Sequence, residues 1–170
     1  MRIVQQNPET DWRRVWQNLH NTGSTQMITA VWYLVVHDLV PTNLRLHKIH
    51  LAESPNCSNC GRLDTRLHRL CECGEGEQIW RWTQQRVAWV MRTTPNNIPV
   101  EWVLRPQFRI WPPQRNRAVL WMLAHMVWYR MQGRRRQSVL DYCDFMRRAR
   151  WKTERQAGTR ELLANYLVVL

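Results

Sequence analysis

Cys57, Cys60, His68 and Cys73 form a C-x2-C-x7-H-x4-C array, and no other feature restricts the fold as tightly. Two thiols separated by two residues reach one tetrahedral ion from a single tight turn, and the later His and Cys close the shell from a second segment. The local sequence agrees. Pro55 and Asn56 start a turn, and Gly61 follows the second thiol, where a ligand turn often needs a positive φ. A closed four-ligand shell keeps no position for water, so the array predicts one structural zinc ion. Buried structural cysteines or a redox pair are the alternative, but few bulky apolar residues separate these ligands. One choice stays open here. Cys71 lies three residues after His68 and replaces Cys73 as the fourth ligand if that stretch is helical. Cys143 is distant and reads as a buried thiol.

The residues around the array resemble the zinc-binding tail of reverse transcriptases from non-long-terminal-repeat retrotransposons. The resemblance runs from Val31 to Trp80. Asp38-Leu-Val-Pro-Thr-Asn-Leu-Arg-Leu-His47 is similar to the Pro-Thr-x-x-(Arg)-Leu helix that leads into the ligands in that family. Asp64-Thr65 stands where the family has Glu-Thr or Asp-Thr, and Leu67 and Leu70 flank His68. Ile79-Trp80 matches the apolar-Trp pair beyond the last cysteine, and Arg115-Asn116-Arg117 heads a Trp-containing helix in a familiar way. The resemblance implies a helical tail beyond the polymerase thumb. Such a tail helps to hold template RNA or target DNA during target-primed reverse transcription, with the rest of the reverse transcriptase as a partner.

Composition bounds the remaining possibilities. The 170 residues suffice for one medium domain or two small ones. With 44% hydrophobic residues and 11 Trp, the chain has ample material for a packed interior. Lys and Arg total 25 against 13 acids, a formal charge of +12. A charge of that size points to a polyanion, because neutralising phosphates releases counterions. Met1 to Thr10 lacks an apolar signal core, and the most apolar run, Ala30 to Val36, is too short to span a bilayer. No membrane partner and no small-molecule substrate are expected. Five cysteines, four of them in or beside one array, suit a reducing compartment, the nucleus or cytoplasm.

Apolar spacing is helical almost throughout, which predicts an all-α helical bundle with an inserted zinc-binding loop. Three segments follow: 1–50 helical, 51–93 the metal module with its following helix, and 94–170 basic and helical. Thr10 can cap a helix bearing Trp12, Val15, Trp16 and Leu19. A second helix runs from Ser24 or Thr25 through Leu39, and being apolar nearly all round it is expected to be central. Thr42 caps a short third helix, and the ligand loop occupies Pro55 to Cys73. A long helix follows from about Glu75 to Arg92, with Ile79, Trp82, Arg86, Trp89 and Val90 near one face. After a break at Thr93 to Asn97, helices are expected over Gln114–Gln132, after Ser138, and from Thr159 with Leu162, Leu163, Tyr166, Leu167 and Leu170 as a docking stripe.

Catalysis is not expected. The sequence lacks a polymerase-type carboxylate pair, and no histidine is followed two residues later by Glu, as a zinc deaminase requires. Arg105-Pro106 continues with Gln107, not with the Asp that opens the endonuclease of some relatives. The cationic side chains point instead to phosphate contacts. Arg62, Arg66 and Arg69 lie beside the array, and Arg134, Arg135 and Arg136 cluster at a helix junction; guanidinium forks suit phosphate oxygens. RNA or single-stranded DNA is the expected partner. Most tryptophans belong to the core, with Trp111 and Trp151 the better candidates for base stacking. The competing reading is a protein-interaction module whose zinc only stiffens a bundle.

Overall fold

The computed structural model describes residues 9–132, 138–155 and Tyr166. Among these, helices account for all regular structure apart from one isolated antiparallel bridge, Asn56 with Leu63. In chain order they are α1 (Trp12–His20), α2 (Gln26–Val36), α3 (Asn43–Lys48), a π-turn (His68–Glu72), α4 (Gly74–Met91), a 3-10 turn (Pro95–Asn97), α5 (Glu101–Leu104), α6 (Pro113–Met131) and α7 (Val139–Glu154). The expected all-α architecture with an inserted Cys/His loop is the one observed. Arg134 to Arg136 and nearly all of the helix expected from Thr159 lie outside the described residues.

The centre of the bundle is α6, not α2. Ala118 to Val127 form an unbroken buried run, because α2 and α4 pack on this helix and Tyr142, Phe145 and Thr153 of α7 reach it as well. Helix α2 is apolar but less enclosed, and it leaves Met27, Tyr33 and Leu34 exposed. Trp32 and Trp121 are fully buried, and each finds a partner for its indole N–H: Trp32 donates to the Val103 carbonyl at 2.7 Å and Trp121 to Thr153 Oγ1 at 3.3 Å. Burying an indole without that bond costs about 1–3 kcal/mol, so these pairs fix how α2 and α7 sit. On α4 the buried side is set by Ile79, Trp80, Thr83, Val87 and Val90, while Trp89 faces outward. One hydrophobic cluster extends from Val15 to Met146 and so draws on all three segments read from the sequence.

Helix ends explain the differences in length. Asp11, not Thr10, caps α1, its carboxylate accepting the Arg14 backbone N–H at 3.0 Å. Helix α2 stops at Val36, short of Leu39, because Asp38 adopts φ +56°. The Leu39 N–H then bonds back to the Leu34 carbonyl and the Asp38 N–H to Val35, the paired closure that glycine usually permits. His50 and Arg92 end α3 and α4 the same way, with φ +59° and +57°.

Candidate metal centre

A tight knuckle presents the first two thiols. The Cys57 N–H donates to the Arg62 carbonyl at 2.7 Å and the Gly61 N–H to the Cys57 carbonyl at 2.8 Å. Gly61 has φ +73°, the left-handed conformation expected of it. The second pair comes from the π-turn. Thr65 Oγ1 accepts the His68 N–H at 3.0 Å and so starts the turn, and the Cys73 N–H donates to the His68 carbonyl at 2.9 Å. This i→i+5 closure settles the choice between Cys71 and Cys73. An ordinary α-turn sets residues three and four along beside His68, whereas the widened turn carries the fifth there. Cys71 faces the core instead, 4% exposed, and burial pushes its thiol up.

The four side chains converge. Their ligand atoms all lie within 4.8 Å of one another. Zn–S bonds of about 2.3 Å in a tetrahedron set two sulfurs about 3.8 Å apart, and a sulfur and an imidazole nitrogen about 3.6 Å apart. Cys57 Sγ and Cys73 Sγ are separated by 3.7 Å, and Cys60 Sγ and His68 Nε2 by 3.3 Å. These spacings fit one ion, and the cysteines are free thiols, not disulfides. Among the described residues this is the group of His, Cys, Asp or Glu side chains so arranged. Three soft sulfurs and one imidazole form a zinc donor set with every position filled by protein, so the centre staples two segments and leaves none open for water.

Electrostatics around the ligands are uneven. The Arg62 backbone N–H, together with its guanidinium, holds the Cys60 thiol below its ordinary value. Burial, and then the neighbouring Cys57, push Cys73 up to about 12. Cys73 therefore keeps its proton at neutral pH unless a cation is beside it, and coordination removes that proton. Cys73 also stands at the N-terminal end of α4, where the helix dipole favours a thiolate. Burial, and then Arg62, lower His68, which keeps its imidazole neutral and ready to ligate.

Sequence reasoning missed what holds the loop in place. Asp64 is 2% exposed, accepts the Asn43 N–H at 2.7 Å and pairs with Arg69. Arg69 also donates to the Pro41 carbonyl at 2.8 Å, and Arg130, reaching from α6, donates to the Arg69 carbonyl at 2.6 Å. The signal was the Asp64-Thr65 pair itself: Asp64 latches the loop to α3, and Thr65 caps the π-turn.

The arginines beside the array divide accordingly. Arg66 donates to the Val35 and Val36 carbonyls at 2.7 and 3.2 Å and lies 3.5 Å from Asp38. Together with Arg69 it is committed to internal acceptors. Arg62 is exposed beside Cys60 and donates to the Glu72 carbonyl at 2.7 Å. Arg134, Arg135 and Arg136 fall outside the described residues. Trp111 and Trp151 are 73% and 56% exposed.

No curated protein and no solved structure matches the chain. The comparison with family models does give a match, and it covers the helices leading into the array, all four ligands and the apolar-Trp pair beyond them. Residues 2–80 match the family described as "zinc-binding in reverse transcriptase".

Proposed function

We propose that this chain is a non-catalytic, zinc-stapled module of a retrotransposon reverse transcriptase that grips RNA template or target DNA. The observation that supports it most is the four-ligand cluster at tetrahedral spacing inside the matched segment. The net charge of +12 supplies the second half of the argument, since phosphate binding needs little else. In this reading zinc fixes the crossover between α3 and α4, so that exposed cations keep a constant layout. Arg62, beside Cys60, is one contact to phosphate, and the sequence run Arg134 to Arg136, outside the described residues, supplies further cations for phosphate. The missing carboxylate motifs argue that the module binds and does not catalyse.

Salt titration tests this directly. If four phosphates are neutralised, affinity for single-stranded RNA falls about 50-fold between 50 and 200 mM salt. A second reading has its own support. Ile49, Leu51 and Leu63 are exposed around the ligand loop, an apolar patch suited to docking on a polymerase core or another protein. Affinity for RNA that is absent, or flat over that salt range, favours the docking module.

A further inference from the structure

A cleft of about 680 Å³ opens between α1 and the N-terminal end of α6. Its walls include Arg14, His20, Arg109, Trp111, Gln114 and Arg117, and no Asp or Glu lines it. Elsewhere among the described residues, arginines pair with carboxylates, as in Arg66–Asp38, Arg69–Asp64, Arg81–Glu77, Arg147–Asp144 and Arg150–Glu154. Helix α7, basic in sequence, is thus partly neutralised by its own acids. None of the three cleft arginines pairs with a carboxylate among the described residues. The nearest acid in sequence, Asp11, caps α1 and is not part of the lining.

We propose that this cleft seats a single-stranded nucleic acid segment, with Trp111 stacking on a base and Arg14, Arg109 and Arg117 contacting phosphates. The inference rests on the nucleic-acid reading and gives it a place about which the basic runs in the sequence say nothing. Trp111 supports the single-stranded form. Pro112 and Pro113 stop it from joining α6, and it stands 73% exposed with its ring available to a flat partner. A duplex keeps its bases stacked on one another and offers that ring nothing, whereas an unpaired base stacks on it. The cleft floor is rigid. Asn18 donates to the Pro106 and Phe108 carbonyls, each at 2.7 Å, and Asn116 accepts the Ile110 N–H at 3.0 Å. Segment 106–110 is thereby pinned between α1 and α6. Gly23 permits the close approach of Arg117: a Cβ there would lie 2.8 Å from Arg117 Nε. The positive end of the 19-residue helix α6 adds to the potential.

The test uses the zinc-loaded full chain and three labelled probes followed by fluorescence anisotropy: a 12-mer oligo(rU), a 12-mer oligo(dT) and a duplex of equal length. Trp111→Ala is expected to weaken both single strands about 5- to 150-fold and the duplex less than twofold. Arg14→Ala with Arg117→Ala is expected to lower the slope of log affinity against log salt by about 1.4. Arg81→Ala, on an exposed face of α4 and paired with Glu77, should bind as the wild type does. Zinc content and melting temperature equal to wild type establish that each variant is folded. If the wild type binds salt-dependently and both cleft variants bind equally well, the cleft assignment is overturned and the nucleic-acid reading stands. If Trp111→Ala weakens the duplex as much as the single strands, or weakens neither, base stacking fails and the proposal with it. If the wild type binds no probe at low salt, the underlying reading itself fails.

Discussion

Replacing Asp64 tests whether the ligand loop is held by a buried latch. The carboxylate is 2% exposed, caps the first backbone N–H of α3 and faces the Arg69 guanidinium, whose side chain is 27% exposed. Removing one partner of a fully buried ion pair costs about 3–5 kcal/mol. Arg69 is partly solvated and keeps its bond to the Pro41 carbonyl, which brings the cost to or below the bottom of that range, so Asp64→Ala should cost about 2–3 kcal/mol. Asp64→Asn keeps an oxygen for the Asn43 N–H and loses only the charge, and about 1 kcal/mol is expected. Urea unfolding of zinc-loaded protein reads the difference. With an m-value of about 2 kcal/mol/M, the midpoint should fall about 1–1.5 M for Asp64→Ala and about 0.5 M for Asp64→Asn, with m unchanged. Zinc content should stay at wild-type level, since no ligand is touched. A midpoint within 0.2 M of wild type for Asp64→Ala, or equal losses for the two variants, would refute the latch.

Three further outcomes follow from local geometry. A Cβ at Gly76 would lie 2.8 Å from Arg130 Nη2 and 3.1 Å from the Leu70 carbonyl, so Gly76→Ala should cost about 1–3 kcal/mol. In thermal melts its effect should be non-additive with Arg130→Ala. Burial lowers His125 to about 4, which makes the folded state prefer the neutral ring. Its contribution is therefore complete above the unfolded value near 6.5 and is lost as pH falls toward 4, about 2 kcal/mol by pH 5. The stability gap between wild type and His125→Gln should narrow by that amount on acidification, and a gap independent of pH would contradict it. Arg92 is exposed and holds φ +57° at the end of α4. Arg92→Gly should therefore stabilise by about 0.5–1 kcal/mol and raise the melting temperature a few degrees.

The metal ligands were legible because their chemistry resides in residue type and spacing, and both survive folding unchanged. The choice between Cys71 and Cys73 was not, because it depends on whether the turn after His68 closes at four residues or five. Helix existence followed from apolar spacing, but helix ends did not. Asp38, His50 and Arg92 terminate helices in a conformation usually left to glycine, so no glycine marked them. The central role of α6 over α2 was also hidden, since both are apolar and only packing decides which one is enclosed. Arg66 and Arg69 read as surface cations in a basic chain, yet carbonyls at the ends of α2 and at Pro41 draw them inward. Arg14 is far in sequence from Arg109 and Arg117 and meets them only in the fold.

Zinc per chain, measured on wild type and on single cysteine variants, tests the central claim most directly. Wild type should carry one ion. Cys57→Ser, Cys60→Ser and Cys73→Ser should each lose most of it and melt at lower temperature, whereas Cys71→Ser should keep it. Metal-free wild type with undiminished thermal stability, or equal retention by Cys71→Ser and Cys73→Ser, would contradict the account.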